Sequence, residues 1–177
     1  PLVGTDRHDL RLRPGGPRSL SVPAVIAFDR DFARLIGYYL AEGTCSPNGT
    51  TFKIIWTFGY TERDQASVGE LRAALVHLGL RHSVEVRTST IVVTISSLLL
   101  GRLLRDVLQC GSRSHEKRIP PELFDAPDGI RDELLRAIFR GDGSVTWPQR
   151  RSRVRVSHST TSAALHDQRR GRARRAR

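Results

Sequence analysis

The sequence lacks several features that define large classes of proteins. Its 177 residues include no Met, only two Lys beside 27 Arg, and only two Cys. No apolar run approaches the roughly 20 residues that cross a bilayer, and no signal segment opens the chain, so we expect a cytoplasmic protein. Cys45 and Cys110 lack the spacing of metal ligands, which favours two buried thiols. Because Met is absent even from position 1, we expect a processed chain, one excised from a host protein, or a fragment.

Positive charge is in clear excess. The 29 Lys and Arg residues outnumber 18 Asp and Glu, which gives a formal net charge of +11. The last ten residues, 168–177, hold six Arg and no acid, so the other 167 residues still carry +5. A basic body of this kind favours a polyanionic partner such as nucleic acid. The Arg run is typical of a solvated, disordered tail that adds nonspecific affinity for phosphates.

Two similar segments begin 100 residues apart, Leu35–Gly43 and Leu135–Gly143. Each is an apolar, helix-like run with two small residues four positions apart. These small residues are Gly37 and Ala41 in the first segment and Ala137 and Gly141 in the second. Small residues at this spacing share one helix face, so the two helices can pack backbone to backbone.

Each segment ends in an acid followed by glycine, Glu42–Gly43 and Asp142–Gly143. The glycine predicts a helix end in the left-handed conformation. Packed helices would bring Glu42 and Asp142 side by side, where carboxylates repel each other and helix dipoles are negative. A divalent cation would offset both costs, so the repeat predicts a metal site on a pseudo-twofold axis. Either acid alone would more commonly be an exposed residue at a helix end.

The remaining pattern predicts alternating helices and strands after a Pro-, Gly- and Arg-rich segment at 1–28. Helices are expected over 30–42, 61–79, 98–108 and 130–141, with another beginning at 161–165. Strands are expected over 51–60, 82–88, 90–96, 144–147 and 152–157, with a hairpin turn at Asn48–Gly49. Along the strand 51–60, Phe52, Ile54, Trp56 and Phe58 alternate with Lys53, Ile55 and Thr57.

The two acidic segments resemble the paired motifs of the LAGLIDADG homing endonucleases, the dodecapeptide (DOD) type found in inteins and group I introns. The acid at the eighth position and the Gly at the ninth match in both copies. A third match is Lys117-Arg118-Ile119-Pro120, 25 residues before Asp142, which is similar to the Lys-x-Ile-Pro element of intein endonucleases. Outside this context Lys117 would be taken for a surface charge. The resemblance covers residues 29 to 162.

The resemblance implies an α+β fold of two pseudo-symmetric αββαββα-like half-domains with saddle-shaped antiparallel sheets. It divides the chain into a linker or remnant of a preceding domain at 1–28, a first half-domain at 29–127, a partial second half-domain at 128–167 and the tail 168–177. Only 34 residues follow Gly143, so the second half is truncated and lacks its own counterpart of the Lys117 element. It also implies a monomer, embedded in a host precursor.

The function implied by the resemblance is a site-specific double-strand break in double-stranded DNA with Mg²⁺ or Mn²⁺. Glu42 and Asp142 would be catalytic metal ligands, each serving one strand, and Lys117 would polarise water or stabilise the transition state. The concave sheet faces would lie on the DNA. The candidate DNA contacts are Lys53, Trp56, Thr57, Arg87 and Thr88 in the first half and Arg151, Arg153 and Arg155 in the second.

A second class of function stays open beside the enzyme. The chain is also consistent with a noncatalytic nucleic-acid-binding module that keeps the fold, as the WhiA-type regulators and RNA maturases of this superfamily do. Acids at both motif ends favour the enzyme, whereas the short second half favours the binding module. Splicing is not expected, because Pro1 and Ala176–Arg177 stand where intein splicing uses a Cys or Ser and a His-Asn pair.

Overall fold

A computed structural model describes residues 10–14, 21–146 and 155–168. Its helices are α1 (Arg30–Glu42), α2 (Glu62–His77), α3 (Leu98–Arg102) and α4 (Asp128–Asp142). Its strands are β1 (Arg11–Leu12), β2 (Val22–Pro23), β3 (Gly43–Asn48), β4 (Thr51–Phe58), β5 (Ser83–Val86), β6 (Ile91–Ser96), β7 (Gly143–Thr146) and β8 (Arg155–His158). Residues 163–168 are also helical. The predicted α+β class is confirmed.

The main sheet has four antiparallel strands in the order β3-β4-β6-β5. From α1 to α3 the elements follow the order αββαββα, as the resemblance implied for the first half. The second acidic segment begins in the same way, with α4 followed by the antiparallel pair β7-β8. The two units therefore start alike, and within the described residues the second has a single strand pair where the first has two.

The core lies between the main sheet and α1. Alternate residues of β4 point to opposite faces, so Phe52, Ile54, Trp56 and Phe58 are buried whereas Lys53 and Thr57 are exposed. The rings of Tyr38 and Tyr39 on α1 meet Phe58 and Trp56 edge to face, at centroid distances of 5.7 Å and 6.3 Å. Edge-to-face contacts are favourable because the positive edge of one ring meets the negative face of the other. The predicted alternation thus determines which side of the sheet faces solvent.

Local capping residues set the element boundaries close to where the sequence predicts them. The Asp29 side chain accepts a hydrogen bond of 2.9 Å from the Phe32 backbone N–H at the start of α1. Thr61 and Asp64 form a reciprocal capping box at the start of α2, which satisfies two backbone donors. Gly49, with φ of +59°, turns the β3-β4 hairpin, a conformation that costs glycine little.

The prediction of left-handed glycines after α1 and α4 is wrong. Gly43 and Gly143 have φ values of −90° and −84° and ψ near 150°, so the chain leaves each helix directly into a strand. Glycine is favoured there by crowding instead. A Cβ on Gly43 would lie 2.6 Å from the Tyr39 carbonyl oxygen, and one on Gly143 would press on the Phe139 carbonyl.

Two other predicted boundaries differ from the structure. The helix expected over 98–108 is α-helical only to Arg102 and continues as a π-helical turn, Leu103–Val107, which keeps Leu104 and Leu108 buried beside Leu100. Within the segment 1–28, the described residues include the pair β1-β2. Residues 169–177, most of the Arg-rich tail, lie outside the described part. No helix of the described ranges is long and apolar enough to cross a bilayer.

Candidate functional site

The helices α1 and α4 pack together at their small residues. A Cβ added to Gly37 would lie 2.6 Å from Ala137 Cβ and 2.6 Å from the Leu134 carbonyl oxygen. One added to Gly141 would lie 2.5 Å from Ala41 Cβ. All four predicted interface residues therefore lie where the two helices meet. Because the helices approach so closely, their C-terminal ends lie next to each other.

Gly37→Ala is expected to destabilise the protein by about 1–3 kcal/mol, because the added methyl collides with a backbone carbonyl that can move only with its helix. Gly69→Ala is the matched control, since this exposed helical glycine has no described atom within 4 Å of the added Cβ. The control should gain roughly 0.5–1 kcal/mol from helix propensity. Urea unfolding of both variants measures the difference, and equal stabilities would contradict the close helix contact.

The two acids occupy the last positions of the paired helices, Glu42 on α1 and Asp142 on α4. A Cβ on Gly141 would lie 3.4 Å from Glu42 Oε1, so the Glu42 carboxylate reaches over the end of α4 beside Asp142. Burial, followed by the charges of Asp142 and Asp64, raises the pKa of Glu42 from 4.5 to about 7 against the opposing charge of Arg63. The structure therefore brings the predicted acid pair together.

His158 lies against Asp142 and was missed by sequence reasoning. It stands opposite Gly143 in the β7-β8 ladder, and its Nε2 is 3.8 Å from Asp142 Oδ2. Its side chain is 5% exposed and meets the Phe139 ring edge to face at 5.9 Å. The predicted strand stopped one residue short of it, and a lone His gives no pattern that distinguishes it.

Arg63, in the first turn of α2, is the second missed residue. Its Nη2 donates to the backbone carbonyls of Phe139, Arg140 and Gly143, at 2.8, 2.5 and 2.9 Å. The final carbonyls of a helix have no partner within the helix. Arg63 therefore caps the end of α4, directly behind Asp142. One Arg among 27, contacting residues 76 to 80 positions away, carries no local signal in the sequence.

The acid pair fits a hard divalent cation whose remaining ligands would come from water and from the substrate. Within the described ranges no group of three or more His, Cys, Asp or Glu side chains is placed to hold a metal. Mg²⁺ is nonetheless commonly held by one or two carboxylates together with water and substrate phosphates. The carboxylates of Glu42 and Asp142 supply that donor set, and the raised pKa of Glu42 comes first from its burial and then from the neighbouring charges of Asp142 and Asp64.

Lys117 is buried against the Tyr39 ring of α1. Its side chain is 1% exposed, and its Nζ sits over the Tyr39 ring, 3.2 Å from the ring centroid. Burial lowers its pKa from 10.5 to about 7, and the groups that oppose this shift are Cys110, Cys45 and Glu116, not the two acids. An amine buried in this way contacts neither solvent nor a DNA strand. The catalytic role of Lys117 stays a prediction, and in this structure the amine is buried at the Tyr39 ring.

The predicted DNA contacts divide into three groups. Lys53 and Thr57 are exposed on the outer face of β4, and Arg87 and Thr88 are exposed beyond β5, where Arg87 pairs with Glu85 at 2.9 Å. Trp56 is fully buried on the other face, so its prediction as a DNA contact is wrong. Of the second group of arginines, Arg151 and Arg153 lie outside the described residues. For Arg155 only the backbone pairing with Thr146 is described.

The outer face of the main sheet carries several hydroxyl groups around Lys53. Lys53 pairs in register with Ser46 on one side and Ser96 on the other, and all three are exposed. Thr44 and Thr94 flank Ile55, the next residue of β4 on the same face. Hydroxyls and a cation on a flat surface can contact phosphates and base edges.

No protein-family model matches the chain. It is 33% identical over 160 residues to an uncharacterized protein of Methanocaldococcus jannaschii, which covers 88% of this chain and 18% of that protein. It is 31% identical over 134 residues to the DNA polymerase II large subunit of Thermococcus kodakarensis, covering 76% and 7%. It is 29% identical over 148 residues to the replication factor C small subunit of M. jannaschii, covering 77% and 8%. The chain spans less than a fifth of the length of these relatives.

Among solved structures, the chain is similar to the crystal structure of I-DmoI in complex with DNA and Mn. The TM-score is 0.46 with 9% sequence identity, and the alignment covers 67% of this chain and 64% of that chain.

Proposed function

We propose that the chain is an intein-type LAGLIDADG homing endonuclease domain that makes a site-specific double-strand break in DNA by Mg²⁺-dependent hydrolysis. The observation that carries the proposal is the convergence of Glu42 and Asp142 at the ends of two helices in backbone contact. Two carboxylates held together against their repulsion are costly unless a cation joins them. Their position in two copies of one sequence motif fits two symmetric cuts, one on each strand.

Each residue has a role that follows from its place. Glu42 and Asp142 would hold the cation, and Mn²⁺ could replace Mg²⁺ because both take oxygen ligands. A metal held there would neutralise charge at the scissile phosphate and lower the pKa of an attacking water. The outer face of the main sheet, with Lys53 and Thr57, would bind the duplex and position it. His158 would orient the Asp142 carboxylate through its 3.8 Å contact.

The sequence relatives support an inserted domain. Matching stretches occur in proteins with different names, a DNA polymerase subunit and a replication factor C subunit, and in each the match covers a small fraction of the protein. A self-contained unit placed in unrelated hosts has this distribution. We therefore propose that 29–127 and 128–167 form the first and the partial second half-domain of such an insertion, working as a monomer on double-stranded DNA, with 1–28 as the preceding linker and 168–177 as a phosphate-binding tail.

A cleavage selection tests the proposal. The protein is incubated with a plasmid library carrying randomised inserts, with Mg²⁺ or with EDTA, and linear products are sequenced. Enrichment of one site in the Mg²⁺ arm alone is the expected result. Absence of any linear product, with the protein folded, would overturn the endonuclease.

A noncatalytic nucleic-acid-binding module is the second candidate, and the burial of Lys117 favours it. An endonuclease of the resembled type would present this lysine to the substrate, whereas here it lies over the Tyr39 ring. Salt-sensitive binding of duplex DNA or RNA with no cutting in Mg²⁺ or Mn²⁺ would identify the binding module.

Lys53→Gln is expected to weaken DNA binding at 50 mM salt about three- to tenfold and to lower the slope of log affinity against log salt by about one, because one phosphate contact releases one counterion. Arg72→Gln is the control, since Arg72 is an exposed cation on α2 and not on the sheet face. A fluorescence-anisotropy titration over several salt concentrations measures both variants. Equal losses of DNA affinity in the two variants would mean that the DNA does not bind at the sheet face around Lys53.

A further inference from the structure

The end of α4 concentrates negative charge at one point. The helix dipole places roughly half a negative elementary charge there. Asp142 adds a full negative charge at the same helix end, and Glu42 reaches over Gly141 from α1. Asp64, in the first turn of α2, contributes a further carboxylate that acts on Glu42. Without a compensating charge this arrangement would push the two motif helices apart.

Arg63 is the cation that the structure places at this point. Its Nη2 lies within 2.9 Å of three carbonyl oxygens of the α4 terminus. Its charge also acts on Glu42, in the direction that favours the carboxylate. Because Arg63 belongs to α2 in the first unit and the carbonyls belong to the end of α4 and the first residue of β7 in the second, the contact joins the two units at the acid pair. A charged donor on several carbonyls is among the stronger hydrogen-bond arrangements.

We propose that Arg63 is a positioning residue that supplies, in the metal-free protein, the positive charge which a divalent cation supplies at Glu42 and Asp142 when it is bound. The capping of α4 by Arg63 follows from the geometry alone. The replacement of its charge by that of a bound cation, called here the exchange, rests on the proposed function. The consequence is specific: removal of Arg63 makes the stability of the fold depend on a divalent cation more strongly than in the wild type.

Urea unfolding in EDTA and in 10 mM Mg²⁺ tests this inference on four proteins: wild type, Arg63→Gln, Arg63→Lys and Arg72→Gln. In EDTA, Arg63→Gln is expected to raise the unfolding equilibrium constant about tenfold over Arg72→Gln, which removes the same charge from another exposed position of the same helix. In Mg²⁺ the difference should shrink to less than about threefold. Arg63→Lys keeps the charge without the planar fork and should recover at least half of the loss.

The outcomes separate the inference from the proposed function. Equal stability of Arg63→Gln and Arg72→Gln in EDTA would overturn the positioning role. A loss in Arg63→Gln that Mg²⁺ leaves unchanged, while Mg²⁺ stabilises the wild type, would overturn the exchange and leave an ordinary helix cap. If Mg²⁺ stabilises none of the four proteins, the exchange is overturned, whereas the metal site of the proposed function is tested separately by the Mg²⁺ and EDTA arms of the cleavage selection.

Discussion

Asp142→Asn and Glu42→Gln are each expected to reduce double-strand cutting at least about a hundredfold while DNA affinity stays within about twofold. The amides keep the shape of the side chains but remove the charge that holds a divalent cation, and loss of even an outer-shell partner costs about 10- to 100-fold. DNA affinity is preserved because the sheet face around Lys53 is untouched. Cleavage of the selected site in Mg²⁺, measured beside anisotropy binding in Ca²⁺ or EDTA, gives both quantities.

The same substitutions should stabilise the metal-free protein. This result would distinguish acids that bind a metal from acids that support the fold. The folded-state pKa of Glu42 is raised to about 7 from 4.5, so the folded protein binds more protons than the unfolded chain between these values. Stability therefore falls as pH rises from about 4.5 to about 7. In Glu42→Gln this fall should disappear. If either variant instead loses stability and DNA binding together, the acid is structural and the metal site is contradicted.

The elements that the sequence predicted well are those determined by local chemistry. Asp29 and Thr61 begin helices because their side chains satisfy backbone donors a few residues away, and the alternation along β4 follows from the two faces of a strand. The helix contact was equally readable, because Gly37 and Gly141 are small where a larger side chain would collide. Repetition of one motif located the acid pair without any knowledge of the intervening chain.

The features that sequence reasoning missed depend on contacts between distant segments. Arg63 caps a helix 76 residues away, and His158 meets Asp142 only through the β7-β8 ladder. Trp56 was grouped with Lys53 and Thr57 by composition, although strand period alone puts it on the opposite, buried face. Gly43 was explained by backbone conformation, whereas crowding against Tyr39 is the physical reason.

Lys117→Met is expected to stabilise the protein by about 2–4 kcal/mol at pH 7, the largest stability change that the structure suggests. The Lys117 amine is buried over the Tyr39 ring and, among the described residues, has no hydrogen-bond partner. Its pKa falls from 10.5 to about 7, so the folded protein binds fewer protons than the unfolded chain between these values. The resulting destabilisation is complete below pH 7 and is relieved as pH rises, by about 2 kcal/mol between pH 7 and 9.

Lys53→Met is the matched control, because Lys53 is the other lysine of the chain and is exposed. Urea unfolding from pH 7.5 to 9, above the range in which Glu42 titrates, should show a rising stability in the wild type and in Lys53→Met, and a flat one in Lys117→Met. Measurements stop at pH 9 because burial raises the pKa of the Cys110 thiol from 9 to about 12, which opposes the rise due to Lys117 above that point. A Lys117→Met protein that loses cutting but gains no stability would mean that the amine leaves the core to act on DNA, and would restore its catalytic role.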